Sequence, residues 1–355
     1  MSHKPPFEIV CCIKSWDATV YNHLMPIALH PRVTKLWIVR PEKSAFGEIP
    51  NSEYILTPAS IKPLIWLKMY RACNMLAKKE AVKAVVSFNP IPYGLLAYRA
   101  SKKNHKPIHL GFIGSDWNTY SQKIGKQFLM RCYNHADFIT CTGKKMKTEM
   151  IQKGLTKPSI EILPHGVDQN KFSVNDNGDK KYSCIFIGQL NALKRVNDIL
   201  AAFAKASIAH PTAKLCIVGD GPLKSNLMQQ AQSLNIAHLV DFLGFQKEVL
   251  PYLQQSKMII IASETEGFPF SIVEGASCGL IPITTPVGTI CDHIKDNVNG
   301  LIFPTYDIDA LANNISNVLS DNQLSNRLFE GLKKSISDFG YDKATAIWDK
   351  WFETL

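Results

Sequence analysis

The sequence predicts an α/β protein built from two doubly wound, mostly parallel sheets. Three observations lead there. Short apolar runs alternate with longer amphipathic segments through the first half, and the same alternation restarts after the polar stretch SVNDNGDKKY at 173–182. Alternation of this kind puts parallel strands in the middle and helices on both faces. At 355 residues the chain is also too long for one ordinary core.

In chain order, the first set of strands is read in FEIVCCI, TKLWIV, KAVVSF, IHLGFI, DFITCT and IEILP, with helices in IKPLIWLKMYRACNMLAKK and SQKIGKQFLMRCYNHA between them. The second set is SCIFIG, KLCIVG, VDFLGF, MIIIAS, IPITT and GLIF. Cys11 and Cys12 are adjacent within the first strand, so one faces each side of the sheet. The last stretch, FGYDKATAIWDKWFETL, has helical spacing at Phe339, Ala346, Ile347, Trp351 and Leu355. Trp348 and Trp351 there read as packing residues.

Composition narrows the class. Hydrophobic residues at 46% with 20% charged describe a globular chain rather than a disordered one. No apolar run approaches the roughly 18–20 residues that span a bilayer, and the start lacks a signal-peptide pattern, so a cytoplasmic protein is expected. Nine cysteines without a CxxC pair fit neither a disulfide framework nor a structural zinc site.

The net charge of +10 is unevenly spread. Residues 1–170 hold 24 Lys+Arg against 11 Asp+Glu, about +13, and residues 171–355 hold 16 against 19, about −3. The basic clusters are Lys102, Lys103 and Lys106; Lys123, Lys126 and Arg131; and Lys144, Lys145 and Lys147. Such one-sided basicity predicts an anionic partner: a membrane surface, nucleic acid or a phosphorylated glycan. No base-stacking motif accompanies it, so nucleic acid is not expected.

Ligands of open parallel sheets bind beyond the carboxyl ends of the strands, so the residues just after each apolar run carry the most information. After KMIIIA comes SETEGFPFSIVEGASCG, with Glu266 and Glu274 on either side of a Gly-Pro loop. A helix is predicted to start near Ser271 or Ile272, with Glu274 in its first turn. A helix N-terminus offers N–H groups to phosphate oxygens, and a carboxylate beside it can accept hydrogen bonds from vicinal hydroxyls. That chemistry suits a ribose next to a diphosphate; an ordinary strand-to-helix loop with an acidic first turn is the alternative.

Five stretches, in order, resemble the retaining glycosyltransferases of the GT-B fold, family 4 (glycosyltransferase group 1). They are ILPHGVDQNKF, FIGQLNALKRVNDILAAFA, LCIVGDGPLKSNL, VDFLGF and EGFPFSIVEGASCGLIPITTPVGTICDHI. The resemblance is nearly continuous over the second half and rests mainly on pattern in the first. It implies two Rossmann-like domains facing across a cleft, with an acceptor-side domain at 1–170 and a nucleotide-sugar donor domain at 171–338. A terminal helix at 339–355 is expected to pack back on the first domain.

The resemblance also implies roles. Lys194 is similar to the family lysine that binds the diphosphate, Glu274 to the glutamate that binds the donor ribose, and Glu266 to the one near the donor sugar and its phosphate. Main-chain groups of Gly267, Phe268, Pro269, Phe270 and Ser271 are expected at the sugar and diphosphate, with Gly188 also on the donor side and Gly219 and Gly221 shaping the floor of the cleft. Phe245 and Gln246 sit where the family holds the nucleobase. Gln189 stands where an arginine is common, and Arg195 where a glycine is frequent; Arg195 either supplies the missing cation or caps a solvated helix.

In the first half the family's Gly-rich loop is absent, because CCIKSWDATVY has no glycine. Asp116, in IGSDWN, is expected to orient the donor sugar or to take part in deprotonating the acceptor hydroxyl, with capping of a helix as the alternative. His109 reads as a core residue, and His165 as serving the hinge. No Asp-x-Asp metal motif is convincingly placed, so transfer without a metal or other cofactor is expected, with a nucleotide-diphosphate sugar as donor substrate. The expected function is transfer of a sugar to a glycan or lipid-linked acceptor in surface polysaccharide or glycolipid assembly, at the inner face of the membrane. A GT-B nucleotide-sugar epimerase, a phosphorylase or a non-catalytic GT-B binding module are the competing readings.

Overall fold

The structure is a computed structural model that describes residues 5–15, 17–44, 46–113, 117, 126–164, 166–174, 180–267 and 269–355. It divides into two compact units, residues 1–166 with 341–355, and residues 167–340. Each unit is a parallel sheet between helical layers.

In the first unit the strands are β1 (Phe7–Cys12), β2 (Val33–Arg40), β3 (Ser52–Leu56), β4 (Val82–Phe88), β5 (Ile108–Gly111), β6 (Phe138–Cys141) and β7 (Ser159–Ile162). The helices among its described residues are α1 (Asp17–Ala28), α2 (Lys62–Ala77), α3 (Leu95–Lys103), α4 (Lys126–Tyr133) and α5 (Lys144–Gln152). Sheet order is β3-β2-β1-β4-β5-β6-β7 with every pair parallel. After β3 the chain crosses from one side of β1 to the other and then advances strand by strand. Because such crossovers are right-handed, α2, α3, α4 and α5 lie on one face. Met69, Ala97, Tyr133 and Met150 share a core there with Val10 and Cys12. The alternate residues Ile9 and Cys11 face α1 on the other side, so the adjacent cysteines split between faces as expected.

The second unit has β8 (Tyr182–Ile187), β9 (Leu215–Val218), β10 (Val240–Gly244), β11 (Ser256–Ile261), β12 (Ile281–Thr284) and β13 (Leu301–Ile302), ordered β10-β9-β8-β11-β12-β13 and all parallel. Its helices are α6 (Val196–Ala209), α7 (Lys224–Ser233), α8 (Leu250–Gln254), α9 (Phe270–Ser277), α10 (Ile290–His293), α11 (Ile308–Ser320) and α12 (Asn322–Ile336). Strand order reverses between β8 and β11, the place where doubly wound sheets bind ligands.

The chain returns to the first unit for α13 (Tyr341–Phe352). This helix buries Tyr341, Ala344, Trp348, Trp351 and Phe352 against Phe7, Leu24 and Phe138. Its buried stripe differs from the expected one: Ala346 is exposed, and Phe339 belongs to the core of the second unit. The two tryptophans set the phase, since Trp351 stacks on Phe138 at 5.4 Å and Trp348 meets His109 at 4.7 Å. No helix among the described residues is long and apolar enough to cross a membrane.

Candidate active site

The site in the second unit is assembled from loops that leave β8, β9, β10, β11 and β12. After β8, the Asn191 side chain accepts a hydrogen bond from the Lys194 N–H and caps a single 3₁₀ turn, Ala192–Lys194. Arg195 comes next with φ 52°, a left-handed conformation unusual for a side-chain-bearing residue. The turn is tied to the β11 exit, because Glu264 N–H donates to the Leu193 carbonyl at 2.9 Å.

Lys194 and Glu266 then meet directly: the Lys194 ammonium donates to Glu266 Oε1, which also accepts from Ser263 Oγ at 2.7 Å. The side chains are 23% and 11% exposed. The lysine is thus a fixed cation at the strand ends, partly desolvated, with one side toward a carboxylate and the remainder of its donor capacity available to an anion.

The loop carrying Glu266 is buttressed from β12. Thr289 N–H donates to the Gly267 carbonyl at 3.0 Å, and Thr285 Oγ1 donates to the Ser263 carbonyl at 2.8 Å. Gly288, at φ 59°, approaches so closely that a Cβ would lie 2.0 Å from the Gly267 oxygen. On the other flank, Gly219 takes φ 140°, and a Cβ there would lie 1.9 Å from the Gly188 oxygen. These two glycines let neighbouring loops close over the strand ends.

Pro269 is the N-cap of α9 and brings no side-chain acceptor to the first turn. The helix starts at Phe270, one or two residues earlier than expected, because the Pro269 backbone is extended and its carbonyl accepts from the Ile272 N–H. Glu274 is therefore the fifth helical residue rather than a member of the first turn. It is buried, with no hydrogen bond from its carboxyl to another described residue, and burial pushes its pKa up from 4.5 to about 7, against a smaller downward pull from Lys171.

Arg195 turns back onto its own helix. Its Nε and Nη2 donate to the two carboxylate oxygens of the buried Asp198 at 2.8 and 3.0 Å, and its guanidinium lies 4.7 Å from the Tyr306 ring centre. Gln189 is exposed, its Oε1 accepting from Asn191 at 3.0 Å. Phe245 projects from the β10 exit with 76% of its surface exposed, and the Gln246 side chain donates to the Leu243 carbonyl.

Lys194, Glu266, Gly188, Gln189, Gly219, Gly267, Pro269, Phe270, Ser271 and Glu274 all lie at or just beyond the carboxyl ends of β8, β9 and β11. Phe268, Asp116 and His165 lie outside the described residues. Asn191, Ser263, Gly288 and Thr289 join the site without having been expected from the sequence. The first two had a signal, a capping residue three positions before the residue it serves, in N-x-x-K and S-x-x-E. His109 is a core residue: Nε2 pairs with Thr140 at 2.8 Å, and burial holds the ring pKa well below the usual histidine range. Among the described residues no group of three or more His, Cys, Asp or Glu is placed to hold a metal ion.

Residues 167–335 match the family model described as glycosyl transferases group 1. The N-acetyl-alpha-D-glucosaminyl L-malate synthase of Bacillus anthracis is 26% identical over 275 residues, covering 74% of this chain and 71% of that protein. The Vi polysaccharide biosynthesis protein VipC/TviE of Salmonella typhi is 26% identical over 242 residues, covering 65% and 40%. Anabaena Alr3699/HepE, solved in complex with UDP, has the same fold, with a TM-score of 0.80 at 17% identity over 98% of this chain and all of that one. The segment that carries Lys194, Glu266 and Glu274 matches the glycosyl transferases group 1 model, and the chain has the GT-B fold.

Proposed function

We propose that the protein is a retaining glycosyltransferase that moves a sugar from a nucleotide-diphosphate sugar to a glycan or lipid-linked acceptor. The observation that carries this reading is the coupling of Lys194 to Glu266 across the switch point, beside the helix that buries Glu274. Departure of a nucleoside diphosphate builds negative charge, and a preorganised ammonium stabilises it without reorganising at the moment of reaction. Glu266 holds that ammonium in place at the donor sugar. The first turn of α9 offers N–H groups to the diphosphate, and Glu274 accepts the ribose hydroxyls. Alr3699/HepE has also been solved with UDP-glucose, and the Bacillus anthracis relative is named for joining a glucosaminyl group to malate, which supports a nucleotide sugar as donor.

The same charges give the reaction its stabilisation without a divalent ion, so we assign a metal-independent transfer. Asp116 is assigned to the acceptor side of the reaction.

The test is slow donor hydrolysis over a panel of nucleotide sugars, with proton NMR of the freshly released sugar. An α-linked donor should release the α-anomer first, turnover should persist in EDTA, and Lys194→Ala should lower it on the order of 10²-fold. Release of the opposite anomer would overturn retention. Loss of turnover in EDTA, restored by magnesium or manganese, would overturn metal independence. Unchanged turnover in Lys194→Ala would remove the assigned charge stabiliser.

A further inference from the structure

We propose that the helical layer formed by α2, α3, α4 and α5 is a docking surface for an anionic lipid membrane. Topology gathers the charge. The crossovers that place these four helices on one face of the first sheet also collect its basic residues there. The four helices contain eleven Lys and Arg and one acid, Glu149. On the opposite face, α1 and α13 contain two Lys and three Asp. The charge excess seen along the sequence is thus a polarity across a single sheet.

Charge alone would suit any polyanion. The apolar groups on the same layer discriminate. Leu64, Leu67 and Met75 on α2, Phe128 on α4 and Ile151 on α5 are all exposed, and Ile61, at the N-cap of α2, is 61% exposed. Of the eight large hydrophobic residues exposed among the described residues of the first unit, only Leu29 and Leu56 lie outside this layer. They alternate with exposed bases along α2, where Lys62, Lys68 and Arg71 share the outward side with Leu64, Leu67 and Met75. A soluble polyanion gains nothing from an exposed leucine or phenylalanine. A membrane interface takes both, with acyl boundary for the apolar groups and anionic headgroups for the bases. Exposed apolar anchors of this kind on an otherwise basic helical face bind membranes reversibly and in a lipid-dependent manner.

Docking of this layer does not depend on which sugar is moved. Vesicle binding is read without any transfer, so its failure would leave the transferase reading standing. Sedimentation with vesicles of phosphatidylcholine alone and with about one third phosphatidylglycerol should show binding to the second only, weakened by salt. Each base near such a surface strengthens partition roughly fivefold, so Lys68→Glu with Arg71→Glu should lower binding at least tenfold. Leu64→Ser with Leu67→Ser should lower it several-fold at unchanged net charge, and Lys343→Glu, on the opposite layer, should leave it near the parent value. Donor hydrolysis by all three variants, none altered at the donor site, confirms that they are folded. Equal recovery in the supernatant with both lipids would overturn the proposal. So would loss of binding in the charge variant with full binding in the leucine variant, the behaviour of a surface for soluble polyanions.

Discussion

At the scale of single residues, Lys194 and Glu266 show why a motif match and a geometry carry different information. The sequence placed both at strand exits as separate contributors; the structure makes them one unit, with Ser263 as a third member. Arg195 shows the reverse. Its position one residue after Lys194 made it a candidate cation for the diphosphate, yet its guanidinium is engaged by Asp198 and Tyr306. A side chain's direction depends on partners distant in sequence, and Tyr306 lies more than a hundred residues away. Glu274 supports a quantitative prediction. Its folded-state pKa of about 7 stands above the unfolded value of 4.5, so the folded form holds its proton longer. The contribution to stability is fully present below pH 4.5 and is lost as pH rises through 7, by on the order of 3 kcal/mol. Glu274→Gln removes the titration and keeps the shape, so denaturant unfolding should show the variant level with the parent at pH 4 and more stable at pH 8. Donor affinity should move the other way, weaker in the variant and, in the parent, rising with pH as the carboxylate forms. A parent and variant with parallel stability profiles would show that Glu274 does not titrate in this range.

Among the elements, the strands that form continuous buried runs were legible because such runs have few other uses. β3 was not. SEYIL lies at the sheet edge with no fully buried residue, and its half-exposed pattern carries little periodic signal. The start of α9 was legible to within two residues, since a Pro-Phe-Ser sequence permits several N-caps and only the extended Pro269 backbone selects one. Contacts between loops were not legible at all, and they shape the proposed donor site. Gly288 is the clearest case. Any side chain there needs a disfavoured φ and displaces the Gly267 carbonyl that Thr289 holds. Gly288→Ala should therefore weaken nucleotide binding at least tenfold, read by calorimetry with a nucleoside diphosphate. Gly154→Ala offers the control: it too has positive φ, but a Cβ there meets nothing within 4 Å, and its nucleotide binding should remain that of the parent. Equal effects of the two changes would attribute the loss to general destabilisation rather than to the loop.

At the scale of the whole molecule, charge counting revealed a basic half, and only the sheet topology converts that half into a basic layer. The same topology makes the first unit discontinuous, since the chain leaves it at Gly166 and returns at Tyr341. The returning helix is part of the core rather than an appendage. Trp348 is fully buried, in contact with the rings of Phe88, His109, Phe138, Trp351 and Phe352, and Tyr341 Oη donates to Asn22 Oδ1 at 3.0 Å. Removing a buried indole of this size leaves a cavity that a rigid sheet cannot fill, at a cost of about 3–5 kcal/mol. The loss should appear far away in sequence and within one unit. In Trp348→Ala, hydrogen exchange should accelerate in β1, β4 and β6, which share its core or border it, while β8, β11 and β12 keep the protection of the parent. Unfolding followed by denaturant should then separate into two transitions, the earlier belonging to the first unit. Uniform acceleration across both sheets would show instead that the two units unfold as one cooperative body, with α13 stabilising both.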